Sequence, residues 1–266
     1  MPRHIARFGW IPDLPDHRDF LYAAPTTVLK SIPPSMDLQP QCPKEVYDQG
    51  QLGSCTANAI AGAIEFNQIK QGNKEFTPSR LFIYYNERAI EHRTAIDSGA
   101  AIRDGIKSVA KQGVCAESMW TYSDQHPDQE GQPCPTCKFA QKPTDDAYKA
   151  AKNDLVSSYQ RVLQDLNSMK GCIASGYPFV FGITVYSSFP MDSKTGEVPM
   201  PTTQDTAEGG HAILAVGYDD STRMFKFRNS WGPSWAKGGY GFIPYAYLEN
   251  ANLAQDFWTV RSVEDK

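Results

Sequence analysis

Gln49-Gly50-Gln51-Leu52-Gly53-Ser54-Cys55-Thr56-Ala57-Asn58-Ala59 sets one cysteine at the mouth of a helix. Ser54 is a capping residue type, Ala57, Ile60 and Ile64 continue one helical face, and Lys70 with Gly72 marks the end. Small residues on the other faces, Ala59, Ala61, Gly62 and Ala63, predict burial on several sides. A helix start leaves N–H groups unpaired and carries partial positive charge, and both favour a thiolate. Cys55 is therefore a candidate nucleophile, and Gln49, six residues upstream, carries a side-chain N–H suited to a developing oxyanion.

Two distant stretches supply the partners that such a thiol requires. Gly209-Gly210-His211-Ala212-Ile213-Leu214-Ala215-Val216-Gly217-Tyr218 places a histidine before a strand-like run, and Arg228-Asn229-Ser230-Trp231-Gly232-Pro233-Ser234-Trp235 places an asparagine after another. Asp219-Asp220-Ser221 between the runs is a turn signal, which predicts antiparallel neighbours with His211 and Asn229 at their outer ends. Singly, a cysteine at a helix start is usually a packing residue and a histidine opening an apolar strand a satisfied core residue. The ordered conjunction of Gln49, Cys55, His211, Asn229 and Trp231, followed by Trp235 and Gly238-Gly239-Tyr240, outweighs those explanations.

In that order these residues resemble the papain family of cysteine peptidases over most of residues 36–262. The resemblance implies an α+β, papain-like two-lobed fold: a helical lobe, an antiparallel β-barrel lobe and a cleft between them. It implies thiol-dependent hydrolysis of peptide bonds through a thioester acyl-enzyme, with Cys55 as nucleophile, His211 as its imidazolium partner and Asn229 orienting the ring. Gln49 and the backbone N–H of Cys55 are the expected oxyanion hole, and Trp231 the expected shield over the His–Asn bond. Gly99 and Ala100, within Ser98-Gly99-Ala100, match the edge that holds substrate backbone in an extended form. Gly210 and Ala212 flank the histidine, Ala212 matching a wall of the pocket for the second residue before the scissile bond. No charged residue is evident there, so an apolar side chain is expected. The implied partners are peptide or protein substrates, with no cofactor and no metal, and a monomer is expected.

The match is not uniform. Leu52 and Thr56 stand where the family's Cys-Gly-Ser-Cys-Trp signature has its first cysteine and its tryptophan, so the disulfide made by that cysteine is missing. His211 follows Cys55 by 156 residues (211 − 55), against roughly 130–150 in the signature. Insertions are expected around 121–143 and 187–208, a pattern resembling a bacterial branch. An endopeptidase is favoured, with His126 the one residue that could instead anchor a terminal carboxylate. An acyltransferase would use the same three residues.

Composition narrows the remaining choices. The chain has 266 residues, a formal charge of −4 and no block of like charges, which disfavours nucleic acid as a partner. No run of about 18 apolar residues occurs to span a membrane. Arg3, His4 and Arg7 precede Pro12, Asp13, Pro15 and Asp16 with no apolar stretch between, so no signal peptide is visible. Secreted or periplasmic placement is a family habit and cytoplasmic the alternative. Cys134-Pro135-Thr136-Cys137 lacks the second ligand pair of a zinc site and is expected to be a local disulfide or two plain thiols. Cys115 and Cys172 are expected as packing residues.

Residues 1–35, rich in Pro and Asp, predict an extended arm, either laid across the cleft as a short pro-segment or packed on the β half. The peptidase domain is expected over 36–266, mainly helical over about 36–160 and mainly β over about 161–266. Further helices are predicted from Thr77-Pro78, from Ile102 to Gly113, from Thr144 with Asp145 and Asp146, and over Leu166, Met169 and Ile173. Strands are predicted over Phe179–Tyr186, Ala212–Tyr218, Met224–Arg228, Tyr240–Ile243 and Phe257–Val260.

Overall fold

The computed structural model describes residues 8–74, 76–127, 131–192 and 194–264; Arg3, His4 and Arg7 lie outside them. In chain order the arm contributes β1 (Trp10–Ile11), α1 (Thr26–Leu29) and β2 (Ser35–Asp37). Helices follow: α2 (Cys55–Gln71), α3 (Arg80–Ile90), β3 (Ala100–Ala101) leading into α4 (Ile102–Gln112), and α5 (Asp145–Ala151). Then come β4 (Val156–Arg161), α6 (Leu166–Ala174), β5 (Phe179–Tyr186), β6 (Ala207–Asp219), β7 (Met224–Arg228), β8 (Tyr240–Pro244), α7 (Tyr245–Glu249) and β9 (Ala254–Val263).

Helix α2 is the axis of the molecule, with every residue from Cys55 to Gln68 buried, as its small side chains require. It ends at Gly72 in a left-handed conformation (φ 71°), with the Gly72 N–H returning to Gln68 and Ile69 carbonyls. Ser54 does not cap it: its hydroxyl lies 2.6 Å from the Tyr122 hydroxyl and accepts from Asn58 Nδ2 instead. The first-turn N–H groups of α2 thus receive no side-chain cap. Helix α3 starts at Arg80, later than Thr77-Pro78 suggests, because the Ser79 side chain accepts from Phe82 N. Thr144 and Asp165 cap α5 and α6 in the same way.

The seven-stranded sheet has the order β4-β9-β5-β6-β7-β8, with β2 also pairing β6, all antiparallel. The expected barrel is not closed: among the described residues no pairing joins β4 to β8. α2 crosses this sheet, packing on β6 and β9. Its N-terminus thereby meets the start of the β6–β7 hairpin, which carries His211 and Asn229 at one end as the turn signal predicts. The expected insertions are largely irregular; the first carries the Cys134–Cys137 disulfide, which removes both thiols from any metal role.

The arm divides between its two expected courses. Residues 8–11 cross the helix–sheet junction, with β1 parallel to β3 and Trp10 opposite Ala100. Residues 13–22 run along the sheet, where Asp13 N–H and Trp10 Nε1–H both donate to Asp256 Oδ2 (2.7 and 3.2 Å) and Asp19 pairs with Arg103 and Arg161 (2.6 and 3.2 Å).

Candidate active site

Cys55 is the first residue of α2, set there by a turn whose Gly53 N–H is held by the buried Asp97 carboxylate (3.1 and 3.2 Å). Asp97 also takes the Tyr84 hydroxyl. Gln49 is anchored from three directions: its backbone N–H donates to Ser230 O (2.8 Å), its Oε1 accepts from Ser230 Oγ (2.7 Å), and its Nε2 donates to Leu52 O (2.8 Å). That bond uses one of the two hydrogens of the amide.

His211 Nε2 lies 2.8 Å from Asn229 Oδ1, and the Ser230 N–H donates to that same oxygen at 2.8 Å. The atom shared by the two is thus an acceptor, so Nε2 carries the hydrogen and Nδ1 has the lone pair, free for a thiol proton. Nδ1 has no hydrogen-bond partner among the described residues. Trp231, fully buried, stacks on the imidazole at 4.9 Å and 28° and is itself wedged by Phe189 and Trp235.

The sulfur is also met by the arm. Backbone groups of Ala212, Gly9 and Thr56 lie near enough to lower the Cys55 pKa, and Phe8 meets the His211 ring edge-on at 6.1 Å. Ala100 N–H donates to Gly9 O at 2.8 Å, and a Cβ on Gly99 (φ 70°) would fall 2.1 Å from that oxygen. Gly99, Ala100, Gly210 and Ala212 therefore line one channel, and residues 8–10 of the chain itself fill it. Cys55 and His211 are both 0% exposed. Burial pushes the Cys55 thiol up to about 12 and the His211 imidazolium down to about 4. With the arm in place, burial thus works against both charged members of the expected thiolate–imidazolium pair. Beneath α2, Glu87 accepts Thr56 Oγ1–H at 2.6 Å; burial raises its carboxyl well above the usual range, and its negative charge is a further, smaller cause of the rise at Cys55.

The remaining free cysteines and His126 have other surroundings. Cys42, Cys115 and Cys172 are buried thiols pushed up to about 11, 12 and 11 by desolvation. His126 turns Nδ1 onto its neighbour's carbonyl, Pro127 O, at 2.8 Å. Among the described residues no group of three or more His, Cys, Asp or Glu could hold a metal, and no helix is long and apolar enough to cross a membrane.

A thiol at a helix start, an imidazole with its lone pair free and an orienting carboxamide define a thiol-dependent acyl-transfer enzyme. The family model for papain family cysteine proteases matches residues 32–259, and the chain belongs to that family. Its structure is similar to that of xylellain, a cysteine protease from Xylella fastidiosa, with a TM-score of 0.92 and 48% identity over 99% of this chain and 98% of that one. An uncharacterised peptidase C1-like protein of Acanthamoeba polyphaga mimivirus is 39% identical over 97% of this chain and 88% of its own length. A cathepsin B-like protein of Giardia intestinalis is 30% identical over 81% and 70%. The chain is thus a papain-like cysteine peptidase that hydrolyses peptide bonds with a thiol.

Proposed function

We propose that Cys55 is the nucleophile, His211 its base and Asn229 the group that orients the ring, and that the chain is an endopeptidase held closed by its own arm. The carrying observation is the 2.8 Å His211–Asn229 bond, roofed by Trp231 and leaving Nδ1 bare. Once the arm leaves, water re-enters and the charged forms of Cys55 and His211 are no longer penalised. The thiolate then attacks the peptide carbonyl, and the tetrahedral oxyanion is met by the backbone N–H of Cys55 and the remaining amide hydrogen of Gln49. His211 passes its proton to the leaving amine, and water hydrolyses the thioester by the same route. Gly99 and Ala100 hold substrate backbone where they now hold Gly9 and Trp10, while Gly210 and Ala212 form the facing wall. Residues 1–35 act as the arm and 36–266 as the peptidase domain, working as a monomer on peptide or protein substrates.

Alkylation at mildly acidic pH followed by peptide mapping tests this assignment. Label is expected at Cys55 alone, at a rate that rises when the arm is loosened, and Cys55→Ala is expected to be folded and inactive. Turnover that survives Cys55→Ala would end the proposal.

A further inference from the structure

We propose that Asp97 is a positioning residue for acyl transfer: its buried carboxylate stands in for the disulfide this chain lacks, and ties the turn that presents the Cys55 N–H to the edge that holds substrate backbone. This rests on the proposed function, which makes that N–H an oxyanion donor.

Residues 50–54 form a turn outside any helix or strand. The Cys55 N–H that follows must nonetheless meet the developing oxyanion to within about 0.5 Å. Leu52 replaces the signature cysteine whose disulfide would secure this turn, and its buried apolar side chain supplies no directional contact. One residue on, the Gly53 N–H donates to both oxygens of Asp97, at 3.1 and 3.2 Å. A hydrogen bond to a carboxylate held out of water fixes geometry more firmly than one between neutral groups. The pin that sequence could not supply at Leu52 is thus supplied at its neighbour.

The same carboxylate reaches the opposite bank of the channel. Its Oδ1 accepts the Tyr84 hydroxyl, and that hydroxyl in turn accepts the Gly99 N–H at 3.1 Å. The two banks are close: a Cβ at Gly53 would fall 3.4 Å from Asp97 Oδ1 and 3.6 Å from Gly99 N. Gly9, which crosses the channel in the substrate's place, lies between them. A Cβ on Gly9 would fall 1.6 Å from Gly53 O, and one on Gly99 2.1 Å from Gly9 O. Asp97 itself sits in an irregular segment that α3 holds from behind. Arg88, fully buried, donates from Nη1 to the Thr94 and Ile96 carbonyls at 3.0 and 2.8 Å and stacks its guanidinium 3.9 Å from the Tyr84 ring centre. Tyr84 and Arg88 lie one turn apart on α3, so this helix sets Asp97, and Asp97 sets both the oxyanion-donor turn and the Gly99–Ala100 edge.

The test compares full-length Asp97→Ala, Asp97→Asn and Tyr84→Phe chains with the parent, by kcat on a blocked fluorogenic peptide and by the rate of Cys55 alkylation with iodoacetamide. The arm competes with substrate and so alters KM but not kcat, whereas alkylation needs an open cleft and a thiolate but no oxyanion hole. Expressing kcat per alkylatable Cys55 removes any misfolded fraction. Asp97→Ala is expected to lower kcat ~30- to 100-fold while alkylation stays at or above the parent rate. Asp97→Asn, which keeps an oxygen for the Gly53 N–H, is expected to lose only ~5- to 10-fold, and it decides alone if Asp97→Ala does not fold. Tyr84→Phe, which frees the Gly99 N–H and leaves Gly53 bonded, is expected to keep kcat within about threefold of the parent. Parent-level kcat in a folded Asp97 variant, alkylation that falls in step with kcat, or a Tyr84→Phe loss as large as that of Asp97→Ala would each overturn the inference, and parent turnover that depends on Cys55 would leave the peptidase assignment standing. Turnover that survives Cys55→Ala would overturn both.

Discussion

Asp19→Ala should open the active site from a distance. Asp19 accepts Arg103 Nε–H at 3.1 and 3.2 Å, Arg103 Nη2–H at 2.6 Å and Arg161 Nη1–H at 3.2 Å, with the Asp19 and Arg103 side chains only 5% and 8% exposed. Removing one partner of a buried ion pair costs about 3–5 kcal/mol. The cost here falls at or just below that range, because Arg103 keeps the Leu14 carbonyl, while Arg161 is 27% exposed and keeps Asp256. In the arm-open state both guanidinium groups are hydrated, so the cost falls on the closed state alone. A shift of ~2–3 kcal/mol is roughly a 30- to 150-fold change in the closed-to-open ratio at 1.4 kcal/mol per tenfold. Turnover of the full chain at low substrate and the rate of Cys55 alkylation should rise together by that order, until the open form predominates. A variant whose melting temperature falls while both rates stay at the parent value would refute the arm as an energetic gate.

Three further outcomes follow from the same contacts. Asn229→Ala removes the acceptor that fixes the ring, a bond worth about 1.5–3 kcal/mol when His211 is charged, so kcat should fall ~10- to 150-fold with KM nearly unchanged; steady-state kinetics on one peptide decides. Cys134→Ser opens a four-residue loop whose closure is worth at most about 2 kcal/mol; denaturant titration should show a loss no larger than that, with kcat/KM of the activated enzyme intact. Burial, followed by repulsion from Asp13, raises the Asp256 carboxyl from 3.8 to about 6 in the folded state. Its protonated form is therefore the favoured one: the stability it contributes is complete below pH 3.8 and lost as pH rises through 6, up to ~3 kcal/mol. Melting curves between pH 4 and 7 should accordingly show a shallower decline for Asp256→Asn than for the parent chain.

The chemistry was legible because its signals are local. Cys55 is announced by a cap-type residue, small helical neighbours and Gly72, and the strands Phe179–Tyr186 and Met224–Arg228 are continuous β-forming runs found with the bounds expected. Other parts depend on partners far along the chain. β4 reads Val-Ser-Ser-Tyr-Gln-Arg, largely polar because it is an edge strand paired on one side by β9, and no apolar period betrays it. The start of α3 was blurred by two adjacent signals, Thr77-Pro78 and Ser79, of which the second wins by reaching Phe82 N. The course of the arm rests on Gly9 meeting Ala100 and Trp10 meeting Asp256, contacts spanning 91 (100 − 9) and 246 residues that no local pattern encodes.

Covalent attachment of the segment lying over Cys55 has a kinetic consequence. A tethered blocker competes at an effective concentration set by its own chain, on the millimolar scale for short flexible connections and higher when packed as closely as residues 12–22 are here. Diluting the enzyme therefore cannot relieve the block, and a free peptide must be present at comparable concentration to displace it. Cutting the chain between the crossing residues and their anchor at Asp19 converts the blocker into an ordinary dissociable ligand, after which dilution alone suffices to free the sulfur.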